Sequence, residues 1–177
     1  TRAPRAKLAV VAPAHQYPLG IVLTLQRRLG LLSWAERTGG WIAEDDYDGE
    51  YRYSGRPLVP MRALDRSRRV AYLAGFSKLL FPALRLDYVV LPDALVAAAE
   101  RRLAPLPART PLLGQGALAR FIADGHLASH LRRTRHLYGD RQEAMVGAIQ
   151  RHLGRWLECD RDPVSYTHLR AHETRED

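Results

Sequence analysis

The chain is short of several residue types, and each shortage excludes something. One cysteine, Cys159, stands among 177 residues, so no internal disulfide can form and a reducing, cytoplasmic setting is expected. No run approaches the roughly 18 to 20 apolar residues of a membrane span, so no membrane partner is expected. No apolar stretch follows Thr1-Arg2-Ala3-Pro4-Arg5, which does not read as a secretion signal. Without an initiator Met, that start reads as an internal cut. Lysine is scarce: of 27 basic residues, 25 are Arg and only Lys7 and Lys78 are Lys. Abundant Arg, Ala and Leu with little Lys is what codon bias in a GC-rich genome produces. The net charge of +8 would suit nucleic acid. No basic block carries interleaved aromatics, however, so the charge reads as solvated surface. The same scarcity makes Lys78 informative, because it lies in an apolar stretch.

Periodicity supplies the elements. Lys7 to Pro13 (KLAVVAP) is a short apolar, β-branched run and reads as a buried strand. Ile21 to Arg37 places Leu25, Leu29 and Leu32 on one stripe, with Arg27, Arg28 and Glu36 elsewhere on the wheel. Gly39-Gly40 ends that helix, and Trp41 to Asp45 is a second strand. A helix of crossover length between two strands makes a βαβ unit with parallel strands. After a polar excursion over 48–67, strand character returns at Arg69 to Ala74 and at Leu86 to Leu91. Helices are expected at Pro92 to Leu103, Leu112 to Ala123 and His126 to Leu153. No internal repeat appears. The predicted fold class is α/β, a mostly parallel sheet flanked by helices, with ligands taken beyond the carboxyl ends of the strands.

Three groups suggest chemistry. Gly75-Phe76-Ser77-Lys78 follows the third strand. A lysine desolvated at the mouth of a parallel sheet has a lowered pKa and an amine available for a Schiff base; alone, it would read as a surface residue in a turn. Glu44-Asp45-Asp46-Tyr47-Asp48 ends the second strand, and Asp45 and Tyr47, two apart, share a face. A pyridoxal phosphate ring needs a carboxylate at its pyridinium nitrogen and gains from a phenol at its ring hydroxyl, and this pair offers both. The other readings are a solvated acidic turn, or a metal loop of Asp45, Asp46 and Asp48 without the Gly and Glu spacing of a calcium site. Arg85 lies seven residues beyond Lys78 and would clamp a phosphate bidentately. His126, His130 and His136 have no acidic or Cys companion, and Arg132, Arg133 and Arg135 would repel a cation. They read as solvated or packing residues, and no metal is assigned.

The order Asp-x-Tyr, then Ser-Lys with the Lys 33 residues after that Asp, then Pro and Arg, resembles the class I aminotransferase fold. More narrowly, AHQYPLG, IAEDDYDGEYRYSGRPL, GFSKLLFPALRLDY and DGHLASHLRRTRHLY resemble the MocR-type transcriptional regulators. Those proteins join an N-terminal winged helix-turn-helix to an aminotransferase-like, fold-type I pyridoxal phosphate domain. The resemblance covers about 5–160, and EDDYD followed by RYSGRP separates this family from plain aminotransferases better than the Lys motif does. It implies Lys78 as the Schiff-base lysine, Asp45 at the pyridinium nitrogen, Tyr47 at the ring hydroxyl and Arg85 at the phosphate. Gln16 would lie near the ring hydroxyl, and His15 beside it reads as a loop or packing residue. Two positions depart from the family: Gly75 stands where a hydroxyl residue is usual, and Asp87 where Gly is usual.

The resemblance divides the chain into a partial cofactor-binding large domain over 1–125 and a connecting helix with the start of a small domain over 126–162. Pro163 to Thr174 (PVSYTHLRAHET) resembles, letter for letter, one reading frame of a transposase-derived sequencing adapter. Residues 163–177 are therefore expected to be extraneous and unstructured. The implied function is a sensor domain of a regulator, binding pyridoxal 5'-phosphate and responding to an amino acid or amine effector. DNA would be contacted only through an N-terminal winged helix outside this chain, and the intact protein would be a homodimer. The alternative is a catalytic class I aminotransferase acting on an amino acid. With most of the small domain outside the chain, apolar faces including Leu127, Leu131 and Ile149 are expected to be partly uncovered.

Overall fold

The computed structural model describes residues 5–16, 20–52, 58–105, 112–160 and 168–171. Strands β1 (Leu8–Val11), β2 (Trp41–Asp46), β3 (Val70–Gly75) and β4 (Asp87–Val90) form one sheet in the order β1-β2-β3-β4. The pairings β1 to β2 and β2 to β3 are parallel, and β4 runs antiparallel to β3. Helix α1 (Leu25–Thr38) makes the β1-to-β2 crossover, and the short α2 (Met61–Leu64) precedes β3. Helices α3 (Asp93–Leu103), α4 (Leu112–Ala123) and α5 (His126–Leu153) follow. The expected mostly parallel α/β sheet is what forms.

Local chemistry explains the boundaries. Thr24 caps α1, its hydroxyl accepting from Arg27 N at 3.4 Å, and Gly39 ends it with φ of 65°. Gly40 must also be glycine, since a Cβ there would sit 2.8 Å from the Trp34 ring. In β2 the two faces separate cleanly, Ile42 and Glu44 being buried while Asp45 is exposed. Ile42 joins Leu32, Trp34, Ala35, Met61 and Val70 in a core that α1 and α2 build against the sheet.

The face α1 turns to that core differs from the one its leucines suggest. Leu25 and Leu29 are exposed, whereas Arg28, Leu32 and Ala35 are buried. The reason is that Arg28, only 4% exposed, has three carbonyls to satisfy. Its Nε donates to Leu23 O at 2.9 Å, Nη1 to Val59 O at 2.8 Å and Nη2 to Pro13 O at 2.8 Å. Burial lowers its pKa, opposed by Glu44 and Asp46. A buried guanidinium that spends its donors on backbone ties three loop segments together, at a helical position where hydrophobicity alone would put water.

Leu131 is buried, contrary to the expectation for it, while Leu127 and Ile149 are half-buried. Apolar surface is open elsewhere, notably Val10 at 70% and Trp156 at 63% exposure. Most of 163–177 lies outside the described residues. Within it, His168–Ala171 forms strand β6 and pairs antiparallel with β5 (Leu157–Asp160). The expected absence of structure therefore fails at those four residues, where backbone pairing supplies an order that composition does not reveal.

Two substitutions test this framework. Arg28→Leu removes the side-chain donor from Leu23 O and Val59 O and leaves Pro13 O with Leu23 N alone, and should cost about 3 kcal/mol in urea unfolding; an unchanged midpoint would refute the role given to Arg28. Asp65 takes Ser67 N and Oγ on one oxygen, at 3.0 and 2.8 Å, and Arg69 N and Val70 N on the other, at 2.6 and 2.8 Å. Burial raises its pKa, but these four donors prevail and the net shift is downward from 3.8. Asp65→Asn sets an NH₂ against two donors whichever way it turns, costing about 1–2 kcal/mol at neutral pH. Because the folded pKa is lowered, the carboxylate's contribution is present above about 3.8 and fades as pH falls through the lower folded value. The gap between wild type and variant should close in that window.

Candidate functional site

The carboxyl ends of β2 and β3 open into a cavity of about 600 Å³. Asp45, Tyr47, Leu73, Ser77, Lys78 and Asp87 are among its lining residues. The parallel register puts Asp45 beside Leu73, and the turn after β3 brings Lys78 to the same mouth. Lys78 Nζ lies over the Tyr47 ring, 4.5 Å from its centroid, a cation–π approach. Three predicted site residues, Asp45, Tyr47 and Lys78, are thus brought together.

Each carboxylate of the acidic run has a separate task. Glu44, buried, accepts from Met61 N at 2.7 Å and Arg62 N at 2.8 Å, fixing the start of α2. Burial raises its pKa, against the pull of those two donors. Asp46 accepts from Gly49 N at 3.0 Å and from Tyr72 OH at 2.7 Å. The Tyr72 hydroxyl is pushed well up by burial and by that carboxylate. Asp48 meets His15 Nδ1 at 2.9 Å, both side chains being buried. Asp45 alone faces the cavity. Partial burial raises its pKa, Asp46 and Asp48 add to the rise, and Lys78 opposes it.

Tyr47 has a partner the sequence did not suggest. Its hydroxyl donates to His15 O at 2.9 Å and lies 3.2 Å from His15 Nδ1. His15, expected as a loop or packing residue, is 1% exposed and links Tyr47 to Asp48. Its adjacency to the strand end is tertiary, 33 residues away in sequence, so no local signal pointed to it. The Lys78 turn is anchored in a similarly non-local way. Leu79 O, the next carbonyl after Lys78, accepts from Tyr51 OH and from His130 Nε2, both at 2.9 Å. His130, read as a solvated or packing residue, is a hydrogen-bonding one.

Arg85 and Gln16 do not line this cavity. Arg85 is exposed, at the end of a 3-10 turn over Pro82–Leu84, in the left-handed region with φ of 48° and ψ of 40°. That conformation is uncommon for a residue with a Cβ. Gln16 is exposed and pairs with Ile21 through an isolated antiparallel bridge, Gln16 N donating to Ile21 O at 3.1 Å. The two departures at Gly75 and Asp87 form one unit, because those residues are register partners across β3 and β4. A Cβ at Gly75 would collide with the Asp87 carboxylate. The acidic side chain therefore fills the space that a side chain at 75 would need.

A parallel sheet with Lys, Asp and Tyr converging at its strand ends, and with helices on the flanks, defines an aminotransferase-like domain of fold type I. Solved structures agree. The multiple substrate aminotransferase of Thermococcus profundus superposes with a TM-score of 0.85 and 27% identity, over 98% of this chain and 43% of that one. Kynurenine aminotransferase of Pyrococcus horikoshii, solved with PMP, does so with a TM-score of 0.81 and 30% identity, over 90% of this chain and 39% of that one. No family model matches the chain. Among curated proteins, the probable rhizopine catabolism regulatory protein MocR of Rhizobium meliloti is 45% identical over 157 residues, 89% of this chain. Over most of its length the chain is similar to MocR-type regulators, and it spans about a third of the length of the first of those relatives, 32%.

The charge arrangement at the cavity can be titrated directly. Removing the cation with Lys78→Ala should move the Asp45 carboxyl pKa further up, and Asp46→Asn should move it down, read by carboxyl-carbon NMR. If neither variant moves Asp45, its carboxylate does not share the cavity field with those groups.

Proposed function

We propose that this chain is the pyridoxal 5'-phosphate-binding part of a MocR-type transcriptional regulator, with Lys78 as the covalent attachment point. The observation that carries the reading is the convergence of Asp45, Tyr47 and Lys78 on one cavity at the strand ends. The donor set fits the cofactor, with one amine, Lys78, two carboxylates, Asp45 and Asp87, and two phenols, Tyr47 and Tyr88, around a space of about 600 Å³. Bound there, the cofactor supplies an aldehyde that takes up an amine with loss of water, and a pyridinium ring that withdraws electrons from that carbon. Lys78 Nζ is the amine this chain offers. Asp45, as a carboxylate, would accept from the ring N–H and keep that nitrogen protonated. Tyr47, braced by His15, presents its ring beneath the Lys78 ammonium and keeps that side of the cavity ordered.

Arg85 is the phosphate ligand in this reading, supported by its place between the Lys78 turn and β4. Gln16 is a peripheral contributor. Residues 1–125 are the partial large domain, and 126–162 hold the connecting helix and the start of the small domain. No helix among the described residues is long and apolar enough to cross a membrane, in keeping with a cytoplasmic protein. Its effector is an amino acid or amine, DNA is reached through a winged helix outside this chain, and the intact protein works as a homodimer. A second reading, a class I aminotransferase acting on an amino acid, has support from the 27% and 30% identity to the two aminotransferases above.

The chain is incubated with pyridoxal 5'-phosphate, reduced with borohydride and peptide-mapped. Label on Lys78, lost in Lys78→Ala, is the expected result. Label on Lys7, or on neither lysine, refutes the assignment. Turnover of an amino acid with a keto acid by the full-length protein would select the second reading.

A further inference from the structure

The Lys78 cavity holds one charged group with no part in the function proposed above. Its charged lining residues are Asp45, Lys78 and Asp87, one cation against two carboxylates. Register fixes where the carboxylates stand. Asp45 pairs with Leu73 and Leu73 with Val89, so those three side chains share one face of the sheet. Two residues further along β3, Gly75 pairs with Asp87 on that same face. Asp45 on β2 and Asp87 on β4 therefore stand at opposite sides of the cavity, on the order of 10 Å apart across β3.

Asp87 differs from the carboxylates of the β2 end. Glu44, Asp46 and Asp48 each meet a hydrogen-bonding partner. Asp87 is exposed and, among the described residues, has no hydrogen bond or ion pair, not even with Arg85 two residues before it. Its charge is therefore uncompensated. Its Oδ1 also stands where a side chain on residue 75 would begin. At that point the wall presents a carboxylate oxygen, and Gly75 adds no side-chain donor. An ionised carboxylate accepts hydrogen bonds and gives none, so it repels an oxyanion.

We propose that Asp87 is a specificity-determining residue of the Lys78 site, disfavouring the phosphate of pyridoxal 5'-phosphate relative to the same aldehyde without a phosphate. The inference rests on the reading of that cavity as the cofactor site. With the ring nitrogen at Asp45 on β2, and with Arg85, just before β4, as the phosphate ligand, the phosphate lies toward β4 and Asp87. A phosphate monoester is close to doubly charged at neutral pH. Asp45 gains a partner in the ring N–H, whereas Asp87 gains none from the cofactor. Binding expels water that now screens the Asp87 carboxylate, so the repulsion strengthens as the site fills. The site holds its cofactor less tightly than the same cavity would with a neutral residue at 87.

The test uses the 177-residue chain and two aldehydes, pyridoxal 5'-phosphate and 5'-deoxypyridoxal, which has a methyl group in place of the phosphate-bearing arm. Each is titrated at constant ionic strength and trapped with borohydride, and the labelled Lys78 peptide gives an apparent Kd. Lys7, outside the cavity, reports the non-specific reactivity of each aldehyde in the same sample. In Asp87→Asn the Kd for pyridoxal 5'-phosphate should fall by about tenfold, while that for 5'-deoxypyridoxal stays within about twofold. Asp87→Gly should behave alike, which keeps the test decisive should the Asn variant fail to fold. Asp87→Glu retains the charge and should keep the wild-type ratio of the two constants. With Lys78 labelled by both aldehydes, an unchanged ratio in the neutral variants, an equal gain for both aldehydes, or a gain in Asp87→Glu matching that in Asp87→Asn overturns this inference and leaves the cofactor site standing. No saturable label on Lys78 from either aldehyde in any variant overturns the cofactor site itself, and the inference with it.

Discussion

Parallel pairing of β2 between β1 and β3 is the constraint on which the site depends. Once Ile42 is locked into the core between those neighbours, the two-residue pleat decides the direction of every later side chain in the strand. Glu44 must follow Ile42 inward, and it is tolerated there because two N–H groups at the start of α2 meet it. Asp45 must then point the other way, into the space beyond β3. A slip of one residue would bury Asp45 without donors and expose Ile42, an error large enough to keep the register unique. The site's carboxylate is aimed by the core behind it.

The amine is aimed by a different device. Lys78 lies in a turn between a parallel strand and an antiparallel one, where no ladder fixes the backbone. Hydrogen bonds from Tyr51 and His130 to Leu79 O take over that role. Those donors come from the 3-10 turn after β2 and from α5, so the turn is held by elements far from it in sequence. Tyr51 and Tyr138 also approach each other, with ring centroids 5.3 Å apart. Any change in the seating of α5 would therefore be felt one residue from the amine, and, through Arg135 and Glu50, at the 3-10 turn after β2 as well.

The acidic run shows how one composition serves unlike purposes. Four carboxylates within five residues would repel one another in water, and three of them are instead committed to separate donors: a helix start, a tyrosine and a histidine. The remaining one, Asp45, has a proton affinity raised first by burial and then by Asp46 and Asp48. The Gly75 and Asp87 pair makes a comparable exchange of volume, one side chain shrinking where its register partner grows.

Much of this was legible from residue order. The strands after Lys7, Trp41, Arg69 and Leu86 and the helices at 112–123 and 126–153 follow from local periodicity and glycine and proline punctuation, while the meeting of Asp45, Tyr47 and Lys78 was implied by the order of their motifs and the family resemblance those motifs carry. Such signals suffice because strand alternation and helix termini are set by neighbours within a few residues. What only the tertiary structure decided were contacts between segments distant in the chain. Arg28 is buried because three loop carbonyls converge on it. His15 and His130 are structural donors or acceptors because folding brings them to Tyr47, Asp48 and Leu79. Arg85 and Gln16 fall outside the Lys78 cavity. Hydrophobic pattern reports which faces seek a core, but hydrogen-bond partners across dozens of residues depend on where the backbone finally runs, and no local run of residues encodes that.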